Sequence, residues 1–417
     1  MSATPRPLGR AEFILLCLFA IALPLVEAPK NIFWALFLIV WLTNSLRQRN
    51  FGQLSRAWDA VFAALIAAPL ITMLNTAYAP QWKEVGDICG YVSLGWMLAR
   101  SRVETRQLHG LLACLIGATL LGVLHGYWVL ATEPKRIWLQ LNSVGHVNHS
   151  ALYGAGTALL AAAVAAVGWR SGERRWQLGG LALAVVMLGV MLAFASRGAF
   201  LAYAAGLLLV VLQLSGVGKK QLFAAGALAI VVGLGIQLVT LQLAGDKNNQ
   251  TLIQKTLDGI ASGKVSSYRI EAFNTAIEMA RRYPLTGTGS GNFSAVSPEE
   301  LQGWVEARGE IFERDNYLFS NHAHGLFANT LGERGLIGIS ALAALLIGWS
   351  VALWRRRPAP GHSAGERLAW GAGLAGWSVV FLGGLTNTTL HHEHGMLSML
   401  CLGLLLANVP LRGRAAA

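Results

Sequence analysis

The chain is dominated by apolar runs near 12–28, 31–46, 58–75, 85–99, 107–130, 149–169, 176–195, 198–214, 221–243, 325–354, 367–386 and 394–411, each bounded by charge or turn residues. A bilayer core takes about 20 apolar residues per helix, so runs of this length leave few folds open. Backbone that meets lipid has to satisfy its own hydrogen bonds. Each run is therefore an expected helix, and the chain an all-α polytopic membrane protein with twelve transmembrane helices. Composition agrees: 54% of the 417 residues are hydrophobic, 13% are charged, and mean hydropathy is +0.49. An ordinary soluble globule is excluded. The first run follows Arg6 and Arg10 without a small-residue cleavage site and is expected to stay as a helix.

Basic residues give the expected orientation. If the helices alternate, one side collects Arg6, Arg10, Arg47, Arg49, Arg56, Arg100, Arg102, Arg106, Arg170, Arg174, Arg175, Lys219, Lys220, Arg355, Arg356, Arg357, Arg367, Arg412 and Arg414. These are the majority of the 33 Lys and Arg residues. The positive-inside rule then puts both termini in the cytoplasm. The net charge of +12 follows from this bias and is no nucleic-acid footprint. Cys17, Cys89, Cys114 and Cys401 sit in or at apolar runs without a CxxC pair, which reads as packing rather than disulfide or metal chemistry.

One polar segment, Ala244 to His324, lies between the membrane runs and divides the chain into nine helices over 1–243, a periplasmic loop over 244–324 and three helices over 325–417. Apolar residues at three and four spacing predict amphipathic helices over Asn248–Ile260 and Tyr268–Arg282, the second including Ile270, Phe273, Ile277 and Met279. Pro284 stops the second. The glycines of Pro284-Leu-Thr-Gly-Thr-Gly-Ser-Gly-Asn-Phe293 match neither a Walker loop nor a dinucleotide fingerprint, so they read as a shaped turn. Glu306, Glu310, Glu313 and Asp315 read as a solvated helix face rather than a two-carboxylate hydrolase site.

Three side chains stand out as candidates for chemistry. Arg197, in Ser196-Arg197-Gly198, is the only charge in the apolar stretch from Leu178 to Leu214, which is too long for one helix. It is expected at the outer boundary of a tight hairpin. A guanidinium there either snorkels to headgroups or faces a cavity and grips an anion in bidentate fashion. Arg269 starts the second loop helix and could share a diphosphate with it, with Lys83 a weaker candidate. His324 stands where the loop returns to the membrane, in Asn321-His322-Ala323-His324-Gly325, eleven positions before Gly335-Leu336-Ile337-Gly338. If that helix runs unbroken, Gly335 lies almost under the imidazole, with Gly338 nearby on the same face. An imidazole in this place can act as general base toward a sugar hydroxyl.

This set of motifs resembles the O-antigen ligase and polymerase superfamily: a histidine eleven positions before Gly335-Leu336-Ile337-Gly338, the Ser-Arg-Gly turn, the Arg269 helix and the Pro284 to Phe293 segment. The likeness in topology covers the whole chain, and the specific motifs cover about Ser196 to Gly338. One position departs from it, because members usually carry a small amide or hydroxyl residue where Gly325 follows the histidine. The resemblance implies a GT-C-like glycosyltransferase of lipopolysaccharide biosynthesis in the bacterial inner membrane. Its donor would be O-antigen on undecaprenyl diphosphate and its acceptor a sugar hydroxyl of lipid A–core, with transfer at the periplasmic face and inversion. Arg197 and Arg269 would hold the diphosphate and His324 would deprotonate the acceptor, with His322 second because only His324 has the family spacing. No metal and no cofactor are implied, and membrane lipids are the surroundings.

Other readings stay open at this level. A polymerase or protein O-oligosaccharyltransferase uses the same donor. A transporter would suit twelve helices, with Pro24, Pro29 and Pro69 as helix breakers, but mid-membrane charge is sparse. His391, His392 and His394 with Glu393 form either a metal site or a polar lining of the acceptor mouth, and His146, Asn148 and His149 are further lining candidates.

Overall fold

The computed structural model describes residues 5–74, 77–216 and 268–411, together with positions 231, 235, 242 and 261. Those isolated positions aside, the run 221–243, the helix expected over Asn248–Ile260, Lys219, Lys220, Arg412 and Arg414 lie outside the described residues. The helices are α1 (Arg10–Leu25), α2 (Glu27–Arg47), α3 (Arg56–Leu74), α4 (Trp82–Ala99), α5 (Thr105–Thr132), α6 (Val147–Arg170), α7 (Arg174–Ala193) and α8 (Arg197–Val210, continued by a π turn to Ser215). They continue with α9 (Arg269–Arg282), α10 (Pro298–Glu306), α11 (Leu326–Arg355), α12 (Ala364–Trp377, continued by a π turn to Leu382) and α13 (His392–Asn408).

Every apolar run in the described residues carries a helix, but only six helices (α3, α5, α6, α7, α8 with its π turn, and α11) are both long and apolar enough to cross a membrane by length and composition alone. The expected twelve are thus met in part. The physical reason is local. Pro24 and the extended Val26 cut α1 short, while α2, α4 and α13 carry Lys30, Glu84, Asp87, Glu393 and His394 at one end. None of the three prolines breaks a helix in mid-span. Pro24 lies in the last turn of α1, Pro29 in the first turn of α2, and Pro69 is carried inside α3.

Helix α6 forms the centre, with 83% of its apolar window buried. Its small residues make this possible: a Cβ on Gly154 would lie 2.5 Å from the Phe194 ring, and one on Gly156 would lie 2.8 Å from Leu397. Helix α13 is buried from Glu393 to Leu406. The two innermost helices begin at the same end, which sets the His146–His149 turn beside His391–His394.

Contacts between loops gather at two ends of the bundle. At one end Arg6 N–H donates to Arg100 O (3.0 Å), a short parallel pairing joins Arg6–Pro7 to Ser101–Arg102, and Val103 N–H reaches Asn408 Oδ1 (3.0 Å). At the other, Asn142 donates to Leu25 O (3.0 Å), Tyr78 to Glu300 (2.5 Å), and Arg269 to Thr386 O (3.0 Å).

Helix α11 does not run unbroken. Gly335 has φ 55° and ψ −152°, a conformation reserved for glycine. Around the break the backbone pairs with the glycine-rich segment: Thr288 and Gly289 N–H donate to Gly332 and Glu333 O (3.0 and 2.8 Å), and Leu336 and Ile337 N–H donate to Pro284 and Leu285 O (2.8 and 3.1 Å). A break inside an apolar helix is tolerated because these partners take up the freed groups. The approach needs glycine on both sides, since a Cβ on Gly335 would lie 2.5 Å from Leu285 C and one on Gly287 2.4 Å from Gly332 O. The expectation that Gly335 stacks under His324 along a continuous helix is therefore corrected. Its glycine serves a hinge filled by the Pro284–Gly287 backbone.

Candidate active site

Arg197 is the first residue of α8, as the tight hairpin predicts, and the preceding turn is held by Ser196 Oγ donating to Asn148 Oδ1 (3.0 Å). Ala195 bends the chain with φ 50°. A Cβ on Gly198 would lie 2.2 Å from Thr386 Oγ1, so α8 starts directly against the turn that follows α12. Arg269 starts α9 after the left-handed Tyr268 (φ 62°), and its Nε donates to the carbonyl of that same Thr386. Burial and then the charge of Arg197 press on the Arg269 guanidinium and lower its pKa. Guanidinium stays charged in proteins. Two such cations within reach of one another repel, and an anion with several oxygens placed between them relieves the repulsion.

His324 lies next to this pair. It is half-buried, with φ 51°, a strained conformation for a side chain with a Cβ. Asn329, in the first turn of α11, fixes the approach by accepting from Ala323 N–H (3.0 Å). Burial, the Arg269 charge and His146 all hold the imidazole below its ordinary value. The ring is thus neutral at pH 7, as a general base requires. His322, with its ring 4.4 Å from that of His324, is pushed down to about 4 by burial and by His324, His391 and His146.

Around them stands a knot of imidazoles that the sequence presents as separate pairs. His149 lies 5.7 Å from His146, 6.2 Å from His322, 5.6 Å from His391, 6.2 Å from His392 and 5.2 Å from His394, ring centre to ring centre. Among the described residues, no group of three or more His, Cys, Asp or Glu has the arrangement to hold a metal ion. The His391–His394 turn is anchored from below by a buried ion pair between Lys30 and Glu393, with Ser143 accepting a further bond from Lys30 (3.2 Å). Lys83 sits on this side, close enough to act electrostatically on Asp87, Lys30 and His392.

Sequence reasoning missed Glu84 and Asp87 on α4, which face His391 and His392. The available signal was two carboxylates three residues apart at the end of an apolar run. The expected helix face of loop acids is met only in its exposure: Glu306 ends α10 and accepts from Gln302, whereas Glu310, paired with Arg308, and Glu313, accepting from Asn316, lie in the loop beyond it and Asp315 in a 3-10 turn. Buried Glu278 differs, joining Arg281 (2.8 Å) and Arg308 (2.6 Å) inside the loop's own core of Met279, Phe293, Leu301 and Val305. Helix α9 turns Ala272, Ala276 and Met279 inward and leaves Ile270 and Phe273 exposed, so the apolar residues counted in the sequence are split between its two faces.

No curated protein matches the chain. Residues 182–343, which hold Arg197, Arg269, His324 and the Gly335 break, match the O-antigen ligase family.

Proposed function

We propose that the protein is an O-antigen ligase, a GT-C-like enzyme that moves O-antigen from undecaprenyl diphosphate to a sugar hydroxyl of lipid A–core. The family carries the coarser part of this reading: a membrane protein that transfers glycosyl groups in the manner of O-antigen ligases and polymerases, on polysaccharide and lipid-linked substrates. The observation that supports the finer part is the meeting of Arg197, Arg269 and His324 at one end of the bundle, around Thr386.

In this reading Arg197 and Arg269 bind the donor diphosphate, and His324 takes the proton from the acceptor hydroxyl as its oxygen attacks the anomeric carbon. The bond from that carbon to the diphosphate breaks, inverting the centre, and undecaprenyl diphosphate leaves with charge that the fixed guanidiniums stabilise. His322 and Lys83 are secondary contacts. The end that holds Arg6, Arg100 and Arg367 is the cytoplasmic one in this reading, and the histidine end the periplasmic one. A carrier whose tail lies in lipid and whose sugar lies in water suits a site roofed by the loop and floored by helix ends.

Purified protein in liposomes, given undecaprenyl-diphosphate-linked polymer and lipid A–core, is expected to yield full-length polymer on core. Deletion of the gene is expected to leave bare core with full-length polymer stranded on the carrier. A single repeat unit on core in the deletion strain would instead mark a polymerase.

A further inference from the structure

Glu84 and Asp87 take no part in the transfer chemistry above, yet they face the same histidine knot. Three residues apart, they share one face of α4. Glu84 Oε2 lies 3.6 Å from His391 Nε2, and Asp87 Oδ2 lies 3.9 Å from His392 Nδ1. These contacts are long, and each carboxylate keeps oxygen lone pairs beyond the one its imidazole meets. All four side chains are accessible, from 22% for Glu84 to 35% for His392. Behind them, buried His391 Nδ1 and His394 Nδ1 have no hydrogen-bond partner, and His394 is wholly buried with its Nε2 3.0 Å from Thr388 O.

Charge decides what such a surface suits. Arg334 acts on Glu84, while Lys83 and Lys30 act on Asp87, and Lys30 is itself paired with Glu393. The carboxylates are thus matched by cations, which leaves a patch dense in acceptors and donors but without the cationic excess of the Arg197 and Arg269 side. A diphosphate belongs on the arginine side. A neutral sugar belongs here, because vicinal hydroxyls can donate paired hydrogen bonds to a carboxylate and accept from an imidazole N–H.

We propose that Glu84, Asp87, His391 and His392 form the acceptor subsite, where they bind the hydroxyls of a neutral sugar across the histidine knot from the arginine pair. This rests on the transferase reading given above and adds the place from which the attacking hydroxyl is presented. His324, between the two halves, would then meet the acceptor on one side and the donor on the other.

The test is steady-state transfer in liposomes by the wild type and the double variant Glu84→Gln, Asp87→Asn, varying donor and lipid A–core separately, alongside binding of undecaprenyl diphosphate alone. Loss of charged acceptors is expected to raise the acceptor KM about tenfold or more, with donor KM and undecaprenyl diphosphate binding unchanged. Intact binding of the carrier shows that the variant is folded. An unchanged acceptor KM, or an equal rise in both KM values, would overturn the proposal, since the pair would then be inert or merely structural. If the wild type glycosylates a carrier-linked repeat or a protein and not lipid A–core, the ligase reading fails by itself. The same split in KM, measured with that acceptor, then decides on the subsite.

Discussion

The two ends of the helix bundle handle charge differently. At the end that holds Arg6, cations are consumed by structure: Arg6 meets Glu12 at 2.7 Å with both side chains buried, Arg100 meets Asp59 at 2.6 Å, and Arg367 donates to the carbonyls of Ala359, Pro360 and His362. At the histidine end such pairs occur too, as between Lys30 and Glu393, but like is also placed beside like, with Arg197 near Arg269 and imidazole against imidazole. Backbone strain follows the same division. Among the described residues, non-glycine positive φ occurs at Arg49 on the Arg6 end and at Ala195, Tyr268, His324 and His392 on the histidine end. Paired charge and relaxed backbone mark an end that holds the fold together. Crowded like charge and strained backbone mark an end whose stability is given up for ligand contacts.

Substitutions at the two ends should therefore fail in different ways. Arg197→Ala and Arg269→Ala are each expected to lower transfer by about 10²- to 10³-fold without lowering the yield of folded protein, as read by kinetics and by gel filtration in detergent. Lysine at either place should recover little, because it lacks the two-pronged fit to phosphate oxygens. At the Arg6 end the expectation reverses. Arg6→Ala strands buried Glu12 and should cost about 3–5 kcal/mol of stability, seen as a lower midpoint of thermal unfolding, while the protein that remains folded keeps its kcat. A loss of kcat as large as the loss of stability would break the comparison.

Acidity gives a finer probe. A general base works in its neutral form, and burial with the Arg269 charge holds His324 below its ordinary value. The kcat/KM profile should stay level through neutral pH and fall only on the acid side of about 6.5. Taking away the Arg269 charge in Arg269→Gln lets the imidazole pKa rise, so the acid limb of the residual activity should move toward neutral pH. The smallest effect belongs to the exposed pair Arg175 and Glu173, where Glu173→Ala should change stability by no more than about 1 kcal/mol.

How much of this was legible in the sequence differs by element. Apolar runs predicted the helices well, because lipid leaves the backbone little choice, and Ser196-Arg197-Gly198 announced its turn by placing a charge in a stretch too long for one helix. The break at Gly335 was not legible, since apolar residues continue on both sides of it and the partner backbone lies at Pro284 to Gly289. Two glycine clusters that looked like separate features are halves of one contact. The histidine knot was hidden for a similar reason. His146 and His149, His322 and His324, and His391 to His394 come from three distant parts of the chain, and only the burial of α6 and α13 at the centre brings them together. Glu84 and Asp87 were lost at the start of an apolar run that predicts a span and nothing more.

The central claim is that the arginine pair binds the donor while His324 activates the acceptor, in one site. The most direct measurement compares, on the same preparations, undecaprenyl diphosphate binding and glycan transfer for His324→Ala and Arg269→Ala. The account predicts that His324→Ala binds the carrier as the wild type does and loses transfer by about 10²- to 10⁴-fold, whereas Arg269→Ala loses both. Transfer by His324→Ala at the wild-type rate would contradict it.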